Sequence, residues 1–166
     1  MQQFTMKHKV IAIIAGWLIF IGVDFVFHGS LFAHLWQEEI EAFKSLKNLA
    51  LLIPAGYLSF LLLTTLQGYF YFQLFENPPK RQALWKFAFV FAILFSLSGF
   101  FGMYSFLDIP IKHLLIFHLV YFIELLVVPL AIDHVAHSTA PFKNLGRILI
   151  LFLILVIFGI IVQNLI

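Results

Sequence analysis

Five ionisable side chains stand inside or at the edge of long apolar stretches of this chain: Asp24, His28, His113, His118 and Glu124. An ionisable group within a lipid bilayer costs about 2.5–3.5 kcal/mol on insertion scales, so such a residue is a candidate for function by default. Carboxylates and imidazoles exchange protons and bind cations. The residue types therefore indicate proton transfer or cation binding, provided that the apolar stretches span a membrane.

The composition meets that condition. Of the 166 residues, 63% are hydrophobic and 11% are charged, and the mean hydropathy is +1.03. A soluble protein of this size could not bury so much apolar surface, which excludes a soluble enzyme, a secreted domain and a disordered chain. The absence of cysteine excludes disulfides and thiolate metal sites. The net charge of +2 comes without a basic block, so nucleic acid is excluded as a partner.

The lengths of the apolar stretches predict an all-α fold. A helix needs roughly 20 residues to cross a hydrocarbon core of about 30 Å. Five stretches are long enough, and no internal repeat or linker divides them, which predicts a single polytopic transmembrane bundle over residues 1–166. The predicted spans are residues 10–28, 49–75, 84–104, 110–132 and 148–166.

The distribution of lysine and arginine predicts the orientation. With five spans, seven of these residues collect on the side of the N-terminus and three on the opposite side. Segments rich in lysine and arginine stay in the cytoplasm. We therefore expect a bacterial inner-membrane protein with its N-terminus in the cytoplasm and its C-terminus outside.

Residues 30–47 predict an additional helix at the outer interface. Ser30 is a good N-cap, and apolar residues then recur at spacings of three and four: Phe32, Trp36, Ile40, Phe43 and Leu46. Charged residues lie at several of the other positions: Glu38, Glu39, Glu41, Lys44 and Lys47. The pattern is typical of an amphipathic helix that lies in the membrane surface, and the alternative is an extension of the first span into solvent.

Residues 25–36 resemble the end of the first span in a family of small bacterial membrane proteins of unknown function. The matching residues are Phe27, Leu31, Phe32 and Trp36. The chain departs from the family pattern where Val26 replaces a usual tryptophan, where a proline is missing and where a fifth span is added. The resemblance implies a fold and a membrane location, and it assigns no functional residue.

Helix geometry predicts which ionisable groups share a depth. At a rise of 1.5 Å per residue, Asp24 on the first span and His118 on the fourth lie at a similar level. His28 lies one turn outward and Glu124 lies inward, so we expect the first and fourth spans to pack together with Asp24 within reach of His118. His118 and Glu124 stand about 120° apart around their helix, which favours an extended relay over a compact metal site.

Three interpretations of this cluster remain open. The side chains could form interhelical hydrogen bonds, worth about 0.6 kcal/mol each on average. They could form a proton relay or ion pathway, with His113 at its outer rim. They could also bind a transition metal, or two histidines on different helices could ligate haem axially.

A second group, Asp133, His134 and His137, closes the fourth span. Spacings of three and four place these residues on neighbouring faces of a helix, which is compatible with a metal site. The alternative is a polar helix end, where histidine in the last turn interacts favourably with the helix dipole.

These observations favour a small membrane protein that relays protons or binds and transports a cation. The alternatives are an accessory or structural subunit of a larger membrane complex and a haem-binding or metal-binding redox protein. No nucleophile motif, phosphate-binding loop or zinc-protease motif supports an enzyme. The expected partners are the lipid bilayer and either further copies of this chain or a larger membrane complex.

Overall fold

The computed structural model describes residues 4–38, 40 and 46–165, with only the backbone described for residues 37 and 46–50. Five long α-helices account for most of these residues and confirm the predicted helical bundle. All five contain stretches long and apolar enough to cross a membrane. The helices are α1 (Met6–Val26), α2 (Leu46–Leu74), α3 (Arg81–Phe106), α4 (Ile111–Ala136) and α5 (Pro141–Gln163).

The helix bounds extend the predicted spans. The first apolar helical stretch begins at Met6 and runs to Leu31, and α5 begins at Pro141 rather than near residue 148. Proline at the start of α5 is tolerated because the first turn leaves its backbone N–H groups unbonded in any case. The loops that follow α2, α3 and α4 are correspondingly short.

We call the end of the bundle near His28 the His28 end, and the opposite end the His137 end.

Helices α1 and α4 form the centre of the bundle. Half of the most apolar part of α1 and 44% of that of α4 are buried, against 11% for α5, which is nevertheless the most apolar helix. The predicted contact between the first and fourth spans is confirmed, because α1 packs more extensively against α4 than any other pair of helices does. Helix α3 packs on α4, and α5 packs on α1. Apolar residues of the outer helices face outward, as expected where the solvent is lipid.

Glycines allow the central helices to approach each other. A Cβ atom on Gly16 would lie 3.0 Å from Ile132 on α4 and 3.0 Å from Thr64 on α2. A Cβ atom on Gly159 of α5 would lie 2.8 Å from the Phe25 ring. Small residues at these positions let helix backbones come close, and such contact is the main source of helix association in lipid.

A proline in α4 is compensated by a side chain of α2. Pro129 has no N–H, so it leaves the carbonyl of Leu125 without its helical partner. Gln67, fully buried on α2, donates its Nε2 to this Leu125 oxygen at 2.9 Å. A backbone group freed inside lipid has no water to bond, so this contact satisfies an otherwise costly carbonyl.

The segment after α1 differs from the prediction. Residues Phe27–Leu31 form a π-helical turn and Ala33–Gln37 form a 3-10 helix, and the backbone is extended at Glu38. The described part is therefore not an α-helix capped by Ser30, whose Oγ instead donates to the Phe25 carbonyl at 3.0 Å. The π-helical turn at His28 and Gly29 interrupts the helix, so the apolar residues that follow do not share one face with a continuous α-helix. Most of the predicted interfacial helix beyond residue 38 lies outside the described residues.

Candidate functional site

Asp24, His28 and Glu124 converge inside the bundle near the His28 end. One ligand atom from each of the three side chains lies within 4.8 Å of the other two. Asp24 and His28 come from α1 and the π-helical turn that continues it, and Glu124 comes from the facing side of α4. The packing of α1 against α4 therefore assembles the group, and we call it the Asp24 group.

The Asp24 group has polar atoms that the protein does not satisfy. Glu124 is 1% exposed, and its Oε1 has no hydrogen-bond partner among the described residues. The buried Nδ1 of His28 is likewise without a partner in the described part of the chain. Buried polar groups are normally hydrogen-bonded, so each exception requires an explanation such as a bound ion or a role in proton transfer.

Aromatic rings cover the Asp24 group toward the His28 end. The His28 imidazole lies 5.0 Å from the Trp36 ring and 5.4 Å from the Phe117 ring, measured between centroids. The Trp36 and Phe117 rings also contact each other, edge to face, at 6.0 Å. The 3-10 helix that follows the π-helical turn is what brings Trp36 back over His28. These rings restrict access of water to the group from that end.

His118 is not part of the Asp24 group, where the structure places Glu124 beside Asp24 instead. Its Nδ1 lies 2.9 Å from the Leu114 oxygen, and its ring contacts Phe100 on α3 at 5.6 Å. A Cβ atom on Gly99 of α3 would lie 2.9 Å from His118 Nε2. Helices α1 and α4 do meet as expected. Because His118 and Glu124 lie about 120° apart around α4, Glu124 faces α1 while His118 faces α3.

His113 lies at the rim of the bundle and contacts a different carboxylate. Its Nε2 is 3.3 Å from Oε2 of Glu38, and Lys112 donates to the other oxygen of Glu38 at 2.9 Å. The hydrogen bond from Lys112 lowers the pKa of Glu38 below its ordinary value. His113 thus contacts the ion pair between Lys112 and Glu38, which ties α4 to the segment after α1, and it is separate from the Asp24 group.

At the His137 end, Asp133 is bonded within the protein. The hydroxyl of Tyr71 on α2, fully buried, donates to Oδ1 of Asp133. Nε2 of His137 lies 3.7 Å from the same oxygen. Burial lowers the pKa of His137, and the nearby Asp133 carboxylate offsets part of that shift.

His134 points away from Asp133 and His137. Its side chain is exposed, while its backbone oxygen accepts a hydrogen bond from Asn144 at 3.1 Å. The structure therefore brings two of the three predicted residues together and adds Tyr71, which the sequence analysis did not include. Tyr71 satisfies one oxygen of Asp133, whereas the buried Nε2 of His137 has no hydrogen-bond partner among the described residues.

His28 and His118 share an aromatic neighbour. The Phe117 ring contacts both imidazoles, with centroids 5.4 Å from His28 and 5.0 Å from His118. Axial haem ligation by two histidines stays a prediction.

Of two contacts that the sequence analysis missed, one had a detectable signal in the sequence. Pro129 inside an apolar span requires a donor for the carbonyl four residues earlier, and Gln67 is a polar residue near the middle of another span. Tyrosine is common at membrane interfaces, so the residue type of Tyr71 does not indicate a contact inside the bundle. Nothing in its local sequence distinguishes it from its neighbour Tyr69, which is exposed.

No protein-family model matches this sequence, and no match was found among curated proteins or solved structures. The fold and composition define the class: a multi-pass helical membrane protein with an Asp/His/Glu group inside the bundle.

Proposed function

We propose that this protein binds a divalent transition-metal cation inside the membrane through Asp24, His28 and Glu124. One observation carries the proposal: three ligand atoms from two facing helices lie within 4.8 Å of one another. A metal ion bound among them would be coordinated by the unsatisfied Glu124 oxygen and by the His28 imidazole. The group lies in a bundle whose other residues at this contact are mainly apolar, so it is difficult to explain as a consequence of composition.

The charge of the group favours a divalent ion. Metal ligands must be deprotonated, so Asp24 and Glu124 would carry two negative charges in the bound state, and no salt bridge to a basic side chain engages either of them within the described residues. An uncompensated charge in a low-dielectric interior is costly, and a divalent cation neutralises both carboxylates at once. A monovalent cation or a single shared proton would leave one negative charge.

The ligand types favour a transition metal over calcium or magnesium. Imidazole nitrogen suits zinc, iron, copper and nickel, whereas calcium and magnesium prefer an all-oxygen site. One histidine and two carboxylates leave coordination positions open for water or for a further ligand. An open position allows a bound ion to exchange, which is compatible with transport.

We also propose that the N-terminus lies in the cytoplasm of a bacterium and the C-terminus outside. The seven-to-three distribution of lysine and arginine supports this orientation. The Asp24 group would then lie in the outer half of the membrane. A cysteine introduced at Asn77 would be protected from an impermeant reagent in intact cells, and one introduced at Ser45 would react.

Metal binding by purified protein tests the central proposal. Zinc and manganese affinities would be measured by equilibrium dialysis on protein stripped of metal, for the wild type and for Asp24→Asn, His28→Gln and Glu124→Gln. Loss of even an outer-shell partner lowers metal affinity 10- to 100-fold, so each variant should lose at least about 100-fold. Asp133→Asn is the matched control, because it alters a carboxylate of the same bundle outside the group. Equal affinity in all four variants and the wild type would refute the proposal.

A proton relay is the second candidate, and a row of buried polar residues on α2 favours it. Thr64, Gln67 and Tyr71 recur at spacings of three and four, so they share one face of α2, and each is fully buried. The hydroxyl of Thr64 and Oε1 of Gln67 have no hydrogen-bond partner among the described residues. Tyr71 is the last residue of this row, and its hydroxyl donates to Asp133 near the His137 end.

Flux measurements separate the two candidates. In proteoliposomes with a pH-sensitive dye inside, a relay would conduct protons without added metal, and Asp24→Asn would abolish that flux. A metal site would bind zinc or manganese with no metal-independent proton flux. Absence of both activities, with co-purifying proteins at a fixed ratio, would favour the accessory-subunit alternative.

A further inference from the structure

A groove between α3 and α4 contains His118, the histidine that the Asp24 group leaves out. The groove has a volume of about 360 Å³ and is lined by apolar side chains together with Ser96 and His118. Leu97, Phe101 and Leu119 line it and are themselves about half exposed. The groove therefore opens to the lipid-facing surface, and a molecule dissolved in the membrane can enter it from the side.

The hydrogen bond to Leu114 determines how His118 presents its other nitrogen. A carbonyl oxygen only accepts, so Nδ1 at 2.9 Å from the Leu114 oxygen must carry the proton. In the neutral imidazole, Nε2 then has a lone pair, which accepts from a hydroxyl donor. His118 is 6% exposed, and no hydrogen bond reaches its Nε2 within the described part of the chain.

Ser96 supplies a second unused polar group on the opposite wall. It is 4% exposed, and its Oγ has no hydrogen-bond partner among the described residues. Ser96 and Gly99 are three residues apart and share one face of α3, and Gly99 lies against His118 Nε2. The groove thus combines two unused polar atoms, His118 Nε2 and Ser96 Oγ, with an otherwise apolar lining, and both residues are more than nine-tenths buried.

We propose that this groove binds an isoprenoid quinol, with its ring hydroxyl groups directed to His118 and Ser96 and its tail along the lipid-facing side. Phe100, Phe101 and Phe122 line the groove and provide aromatic contacts for a flat ring. His118 Nε2 accepts from one hydroxyl group, and the Ser96 hydroxyl exchanges a hydrogen bond with the other end of the ring or with its substituents. The proposal is independent of the metal site.

The depth of the groove favours a quinol over a phospholipid. His118 is seven residues from the first residue of α4, which places it roughly 10 Å below that helix end. A phospholipid headgroup is charged and stays at the interface, and the residues that line the groove include no lysine or arginine to receive a phosphate there. A quinol ring is neutral and can reach this level, while its hydroxyl groups still require hydrogen-bond partners.

Binding of decylubiquinol and of its oxidised quinone tests the proposal. Affinity would be measured by calorimetric titration of the full-length protein in detergent, with both forms of the ligand. His118→Phe keeps a ring of similar size but removes the acceptor, and it should weaken quinol binding about tenfold, the contribution of one hydrogen bond. Ser96→Ala should weaken binding by a smaller factor. Ser98→Ala, an exposed position two residues along α3, is the matched control and should bind like the wild type.

A comparison of quinol with quinone binding, together with a second variant at Gly99, makes the test decisive. Because Nε2 accepts, the wild type should bind the quinol about tenfold tighter than the quinone, and His118→Phe should remove the preference. Gly99→Ala, whose Cβ would lie 2.9 Å from Nε2, should displace the imidazole and weaken binding even if His118→Phe fails to fold. No binding by the wild type, equal affinity for both forms, or displacement of the quinol by dioleoylphosphatidylglycerol would overturn the proposal. Metal binding by the Asp24 group should be unchanged in Ser96→Ala.

Discussion

The carboxylates at the two ends of the bundle differ in how the protein satisfies them: Asp133 is partly exposed and hydrogen-bonded, whereas Glu124 is buried and keeps an oxygen without a partner among the described residues. At the His137 end, Asp133 accepts from Tyr71 and lies beside His137, so the protein itself provides its partners. Near the His28 end, Glu124 keeps a buried oxygen without a partner, close to a second carboxylate. A satisfied polar group stabilises a bundle, whereas an unsatisfied one destabilises it until a ligand or proton arrives. The difference supports the proposed role of Glu124 in ligand binding.

The largest expected difference is in stability without metal. Tyr71→Phe removes the donor from Asp133 and should lower the free energy of unfolding by about 1.5–3 kcal/mol, the range for hydrogen bonds to charged groups. Glu124→Gln should not lower it, because Gln keeps the volume and removes a carboxylate that had no partner. Chemical unfolding in detergent measures both, with Tyr69→Phe, an exposed neighbour, as the control. An unchanged free energy of unfolding in Tyr71→Phe, or a strongly lowered one in Glu124→Gln, would contradict the difference between the two ends.

A smaller effect is expected where α2 supports the centre of α4. Gln67→Leu should cost about 0.6–1.7 kcal/mol, because the Leu125 carbonyl freed by Pro129 loses its donor. Pro129→Ala restores a backbone N–H for that carbonyl, so Gln67→Leu should cost less in this background. A double-mutant cycle on unfolding free energies measures the coupling. An identical cost in both backgrounds would show that Gln67 acts through packing alone.

The smallest expected effect is a dependence on pH at the His137 end. Burial lowers the pKa of His137 below its ordinary value of 6.5, so the unfolded chain binds a proton more readily than the folded one. Stability should therefore be complete above about pH 6.5 and decline as the pH falls through the folded pKa. Asp133 faces His137 on α4, and His8 and Glu76 line the adjoining pocket.

Melting temperatures between pH 8 and pH 5 measure this contribution. His137→Gln should flatten the decline below about pH 6.5 relative to the wild type, because Gln does not titrate there. His134→Gln, at an exposed position three residues away, should keep the wild-type dependence. A decline that is unchanged in His137→Gln would assign the pH dependence to other groups.

Particular residues show how far sequence reasoning reached into the site. Asp24, His28 and Glu124 could be singled out because charge in an apolar span is costly wherever the helices lie. The choice between Glu124 and His118 as the partner of Asp24 could not be made from depth, because depth along a helix does not give its rotation about its axis. The angular separation of the two residues showed that both could not face one centre, and helix packing decided which one does.

The sequence by itself determined the class of this protein and the number of its spans, because run length and hydropathy measure directly what a bilayer accepts. Only the tertiary structure decided which faces of α1 and α4 meet, that Tyr71 reaches Asp133, and that His118 turns to a groove beside Ser96. Lipid is as apolar as the side chains that face it, so hydropathy cannot distinguish an inward face from an outward one. Close packing at Gly16 and Gly159, together with the hydrogen bond between Gln67 and Leu125, supplies that information instead.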